Sequence, residues 1–249
     1  MNRRGRLILA SIGVGVIGAL LLLAISRLPG FGNYPGPYGD MINSLAPFDR
    51  HVTNVVAAVN FDYRALDTLG EEFILFAAVS GLVLLLRGAQ SQSANAPPIP
   101  GRTDEPASDA VRWLSFALIG AIDLFGIYMI LHGHLTAGGG FQGGVILGTA
   151  SMLVYVAFGY RSYHRLVPKK IVEAAEAVGA GSYIAVGLYG MFLGGAALQN
   201  VLPLGQLGAL FSGGTIMLLN VTVGIAVAAG FALVFLEFLA QTRKTDEEI

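Results

Sequence analysis

Six stretches of this chain, at about residues 7–25, 70–86, 113–131, 143–159, 171–195 and 213–239, stay apolar for roughly the 20 residues a helix needs to cross a bilayer. In hydrocarbon the backbone has no water to bond, so a segment of that length satisfies its own N–H and C=O groups by coiling into a helix. The expected fold class is therefore an all-α integral membrane protein with six transmembrane helices and no β-sheet. Composition agrees, with 54% hydrophobic and 12% charged residues and a mean hydropathy of +0.66. The first run follows Arg3, Arg4 and Arg6 as a secretory signal would. It is long for a signal core, however, and no small-x-small cleavage site precedes Arg27 and Pro29, so it reads as a retained first helix.

Orientation follows from the cationic residues. With the N-terminus in the cytoplasm, Arg3, Arg4, Arg6, Arg87, Arg102, Arg112, Arg161, Arg165, Lys169, Lys170, Arg243 and Lys244 lie inside and only Arg27, Arg50 and Arg64 outside. That asymmetry predicts that both termini are cytoplasmic. Residues 88–110, GAQSQSANAPPIPGRTDEPASDA, are polar and Pro-rich without hydrophobic period and read as a flexible cytoplasmic linker. They divide the chain into a two-helix module, 1–87, and a four-helix module, 111–249. Within the first module, 28–68 is too polar to span and is placed outside the membrane. There HVTNVVAAVNFD (51–62) is expected to form a short surface helix with Val52, Val55, Val56 and Val59 on one side.

A net charge of −1 without a basic block leaves no footprint for nucleic acid. The absence of cysteine excludes disulfides, thiolate metal sites and iron–sulfur ligation, so any redox chemistry belongs to a partner. No P-loop, dinucleotide fingerprint or nucleophile elbow is present, and no catalytic set is assigned.

The residues that attract a functional reading are ionisable groups in or beside the apolar runs. Asp67, Glu71 and Glu72 open the second run; three carboxylates within six residues repel one another unless they bind a cation, share protons or pair with Arg64. Thr68 and Glu71 also fit a capping box, a purely structural role. Asp123 lies near the middle of the third run, roughly 15 Å deep, and is expected to be paired, protonated or facing a polar cavity. His132 and His134 flank Gly133 at the outer end of that run; interfacial hydrogen bonding is the expected role, with proton relay the alternative and metal binding disfavoured. Glu173, Glu176 and Glu237 are read as solvated helix ends, and Asn220 and Thr222 as hydrogen-bonding between helices. Among the 34 glycines, Gly138, Gly139, Gly140, Gly143 and Gly144 form one cluster and Gly213 and Gly214 close another; both suit close packing, expected here against other subunits.

At these residues the chain resembles a known family. LHGHLTAGGGFQGGVILG (131–148) and GALFSGGTIMLLNVTVGIAVAAGFALVF (208–235) resemble the MnhB-type component of Mrp-type multisubunit cation/proton antiporters over about residues 111–240, with Ala137 where proline is usual. NVVAAVNFDYRALDTLGE (54–71) resembles the C-terminal part of the large MnhA-type component of those antiporters and the small E component of membrane-bound hydrogenases. The resemblance implies a subunit of a complex in a bacterial or archaeal cytoplasmic membrane, partnered by large proton-channel subunits and small subunits. It holds no cofactor of its own, while Na⁺ or another cation and H⁺ are transported. The carboxylate of the D-x-L-G-E motif, Glu71, is implied in the ion path, which is compatible with its capping role. Coupling to a redox module and a purely structural scaffold are the alternatives.

Overall fold

The computed structural model describes residues 3–28, 30, 32, 36–92 and 107–243. The described residues are all-α. The elements are α1 (Arg3–Ser26), α2 (Pro37–Arg50), α3 (Val55–Ala58) running on into a π-helical turn (Val59–Tyr63), α4 (Ala65–Gln92), α5 (Asp109–Leu131), α6 (Gly140–Leu166), α7 (Lys169–Gly194) and α8 (Thr215–Arg243). Six of these helices are long and apolar enough to cross a membrane: Arg4–Ser26, Ala65–Leu86, Asp109–Leu131, Gly140–Tyr160, Lys169–Gly194 and Thr215–Leu239. The linker expected at 88–110 lies mostly outside the described residues.

The chain forms two compact units, Met1–Met41 and Ile42–Ile249. In the first, α1 is apolar around its whole circumference, the pattern of a helix whose surroundings are hydrocarbon. In the second, α8 is the central helix and packs against α4, α5, α6 and α7. The helices thus group differently from the two modules read along the sequence. Val79 and Val83 of α4 share a buried cluster with Val172 of α7 and Leu233 and Leu236 of α8, so α4 packs with the helices beyond the linker.

The glycine clusters explain how these helices come so close. On α6, Gly140, Gly144 and Gly148 form a stripe four residues apart facing α8, where an added Cβ would lie 2.8 Å from Val223 Cβ, 2.7 Å from Val227 Cβ and 2.8 Å from Phe231 Cβ respectively. Gly143 faces α5, where an added Cβ would lie 2.8 Å from Gly126 O. Gly138 and Gly139 precede α6 beside Met129 and Asn220, and Gly139 has φ 145°, a conformation side chains resist. Gly213 sits under Val52, and Gly214 against Asn200 and Leu202. The packing expected against other subunits is therefore occupied by this chain's own helices and outer segment.

The segment before α4 also differs from expectation. Asn54 caps α3, accepting from Val56 N at 3.1 Å, and the buried side is Val52, Ala57, Ala58 and Phe61, while Val56 points outward. The π-helical turn widens the helical path by one residue and brings Phe61 inward; of the expected stripe, Val52, Val55 and Val59 pack against the core and only Val56 does not. Because α4 starts at Ala65, Thr68 is already inside it. Its hydroxyl donates to Asn60 O at 2.7 Å instead of capping the helix, so the capping box is not formed.

Candidate functional site

Adjacent residues on a helix point about 100° apart, so Glu71 and Glu72 cannot share an environment. The structure turns Glu72 inward, at 2% exposure, and leaves Glu71 on the outer face of α4. Around Glu72 the buried polar groups are Thr68, one turn earlier, and Tyr183 of α7, whose hydroxyl donates to Ala65 O at 2.9 Å. Tyr183 lies within electrostatic reach of both glutamates and of the Thr68 hydroxyl. Among the described residues, Oε1 of Glu72 has no hydrogen-bond partner. A buried carboxylate oxygen left open in this way is costly unless something polar visits it.

The other expected residues are spread around this centre. Asp67 pairs with Arg64 on the surface, as the sequence allows, and does not reach Glu72. Asp123 is half-buried on α5, without an ion-pair partner among the described residues. His132 stacks on Tyr128, with ring centroids 4.3 Å apart. His134 is fully buried, and neither ring nitrogen has a hydrogen-bond partner among the described residues; the main chain of Ala209 and Leu210 approaches the ring without completing a bond. The interfacial hydrogen bonding expected of His134 is thus made by its backbone alone, His134 O accepting from Asn54 N at 3.1 Å. Burial, with a smaller contribution from neighbouring His132, holds the His134 imidazole below its ordinary pKa.

Two acids expected at solvated ends are buried. Glu176 of α7 is 5% exposed and its Oε1 also lacks a partner among the described residues. Glu237 of α8 is 1% exposed and pairs with Lys169 at the start of α7. Sequence reading also passes over an outer polar knot. Asp62 Oδ2 meets Arg50 Nε at 2.7 Å and accepts from Asn200 Nδ2 at 3.2 Å, while Asn200 bonds Gly213 O and Thr215 N. This ties the segment before α4 to the start of α8. The available signal is weak: an Asp and an Asn, the latter in a Gly- and Pro-punctuated stretch, 138 residues apart.

Asn220, expected to bond between helices, does so. Its Oδ1 accepts from Gly140 N at 3.0 Å, capping α6 from α8, and its Nδ2 donates to Ile216 O at 3.1 Å. Among the described residues, Thr222 bonds only within its own helix, donating to Leu219 O.

Comparison with known proteins places this arrangement. Residues 110–233 match the family described as a domain related to the MnhB subunit of Na⁺/H⁺ antiporters. The chain is 34% identical to the uncharacterized protein MJ1307 of Methanocaldococcus jannaschii, over 93% of this chain and 91% of that protein. It is 30% identical to a probable K⁺/H⁺ antiporter component of Rhizobium meliloti, of the combined A/B type, over 73% of this chain but 20% of the relative. It is 35% identical to the B-type component of the Na⁺/H⁺ antiporter of Bacillus subtilis, over 31% of this chain and 49% of that relative. Among solved structures, one chain of an archaeal membrane-bound sulfane sulfur reductase complex superposes with a TM-score of 0.72 at 29% identity, covering 94% of this chain and 98% of that one. A chain of the Mrp complex from Dietzia sp. superposes with a TM-score of 0.71 at 26% identity, covering 95% of this chain and 26% of that one. The chain is a multi-pass membrane protein and belongs to the family related to the MnhB subunit of Na⁺/H⁺ antiporters.

Proposed function

We propose that this chain is a membrane subunit of a multisubunit monovalent cation/proton antiport complex in a bacterial or archaeal cytoplasmic membrane, with both termini cytoplasmic, and that Glu72 is its interior carboxylate on the ion path. The observation that carries this reading is a carboxylate inside a transmembrane helix, 2% exposed, with an oxygen that no described residue satisfies. A packing role is better served by an apolar side chain, whereas a transported ion supplies the missing partner each time it passes. Glu71 and Asp67, outside the interior of this chain, are the acids a partner can reach, and Asp123 offers a second face on α5. The chain moves no ion alone; the path is completed by larger proton-channel subunits and small subunits.

The complex containing Glu72→Gln should assemble, since the amide keeps shape and volume, and should lose at least nine-tenths of cation-dependent proton movement in inverted vesicles. Glu71→Gln tests the partner-facing half in the same assay. Full transport by an assembled Glu72→Gln complex would overturn the assignment.

A second reading places the same subunit in a redox-driven respiratory complex. What favours it is the near end-to-end match with one chain of the sulfane sulfur reductase complex, against a match with only a quarter of the Mrp chain. With no cysteine to hold a cluster, this chain would there serve ion movement while partners carry the electrons.

A further inference from the structure

Residues seven apart on a helix return to nearly the same face after two turns, about 10 Å further along the axis. Three such series meet in unit two: Glu72, Val79 and Leu86 on α4; Lys169, Glu176 and Tyr183 on α7; Val223, Gly230 and Glu237 on α8. The contacts set them level with one another. At the first level Tyr183 bonds the start of α4 and shares a buried cluster with Val223, beside Glu72. At the second, a Cβ placed on Gly230 would lie 3.4 Å from Val79 Cγ2 and 3.6 Å from Glu176 Oε1. At the third, Lys169 pairs with Glu237. Ionisable groups therefore recur every two turns along one buried seam, over about 20 Å of membrane depth.

Glu176 is the central member. Its Oε1 is aimed at the bare backbone of Gly230, belongs to a residue only 5% exposed and has no partner among the described residues. Glu173 is near enough to act on it electrostatically but lies on the half-buried side of α7. Val79, Val172 and Ala229 surround this level of the seam. Aliphatic walls give a metal ion no oxygens to replace its hydration shell, whereas a proton needs only the carboxylate itself.

We propose that Glu176 is a proton-carrying station on a route internal to this chain, between the Lys169–Glu237 pair and the Glu72–Tyr183 level. The inference rests on the ion-path reading of Glu72 and extends it to α7. In each passage the O–H bond of protonated Glu176 breaks as an O–H bond forms on an intervening water, and the Glu176 carboxylate is restored to its acid form by a proton from the other side. No net chemistry occurs. Steps of about 10 Å exceed a single hydrogen bond, so each requires a short file of two or three waters; beside Oε1 the missing side chain at Gly230 leaves the space of a methyl group.

The test uses the assembled complex in proteoliposomes, with proton flux and infrared hydrogen–deuterium exchange of carboxyl groups as readouts. Glu176→Gln should assemble and slow proton flux at least tenfold, and it should slow exchange at the Glu72 carboxyl, identified by the band that Glu72→Gln removes. Glu176→Asp should restore part of the flux. Gly230→Ala fits at ordinary contact distance, so it should assemble fully yet slow flux severalfold by placing a methyl group against Oε1. Unchanged flux and exchange in both Glu176→Gln and Gly230→Ala would overturn the proposal. If Glu72→Gln abolishes flux while those two do not, this inference alone falls; if Glu72→Gln is also silent, the ion-path reading falls with it. Should Glu176→Gln fail to assemble, Gly230→Ala decides.

Discussion

Replacing Asn220 with alanine removes a side-chain bridge between α8 and the start of α6 together with the bond that steadies it on α8. Gly140 N–H loses its acceptor at 3.0 Å, and Ile216 O loses a donor at 3.1 Å. The N–H is the severe loss, because it belongs to a first helical turn with no intrahelical partner and Asn220 is fully buried. Leaving such a donor open costs about 1–3 kcal/mol, and side-chain bonds between membrane helices average somewhat under 1 kcal/mol. With a small contribution from the vacated volume, the sum is about 2–4 kcal/mol. At about 2–4 °C per kcal/mol for a chain of this size, the thermal midpoint in detergent should fall by roughly 5–15 °C. Circular dichroism of the purified protein reads it directly. Thr222→Val on the same helix is the control, since its hydroxyl donates to Leu219 O within its own helix and its loss should shift the midpoint by no more than a degree or two. An Asn220→Ala midpoint equal to that of Thr222→Val would show that α6 does not depend on the cap.

Two further outcomes follow. His134 is held neutral by burial, so below its ordinary value of 6.5 the folded state binds fewer protons than the unfolded state; stability is complete above that pH and is lost as pH falls, by at most about 1.4 kcal/mol per pH unit for one proton. Thermal midpoints between about pH 5 and 7.5 should show this slope in the wild type, and His134→Phe should flatten it; an unchanged slope would refute the assignment. For orientation, Thr136→Cys should react with an impermeant thiol reagent in intact cells unless a partner covers it, and Ser162→Cys only after permeabilisation; labelling at Ser162 in intact cells would invert the topology.

What the sequence discloses, and what it conceals, divides along local and non-local lines. The helices are legible because a span depends only on its own apolar length. The start of α4 is not, because the π-helical turn at Val59–Tyr63 is fixed by packing Phe61 against α7, where its ring centroid lies 6.4 Å from that of Tyr183. Glycine clusters announce close approach correctly, but a glycine carries no information about which surface comes near. The choice between Glu71 and Glu72 is undecidable along the chain, since either could face inward until α7 and α8 occupy their places. Glu176 and Glu237 depart from expectation for a related reason. Position near a helix end suggests solvent only when no neighbouring helix runs past that end, and here the ends of α7 and α8 cover one another, as the Lys169–Glu237 pair shows.

The seam also bears on why one subunit can resemble parts of two machines with different energy sources. Its ionisable groups all lie between α4, α7 and α8, and none of them is a redox ligand or a metal cage. What they can exchange with a neighbour is charge: a proton arriving at one level alters the electrostatic cost of occupying the next, two turns away. If Glu72 lies on an ion path as proposed, a partner that drives ions by electron transfer and a partner that drives them by a second ion gradient would make the same demand on this chain, namely a carboxylate whose occupancy changes. The acids facing outward, Glu71 and Asp67, lie on the same first turns of α4 as the buried Glu72, so a partner docked at that surface, as proposed, would act on the interior through a single helix end. On the proposed ion-path reading, the source of energy is a property of the partner, and what this fold supplies is one inward carboxylate, Glu72, beside an outward one, Glu71.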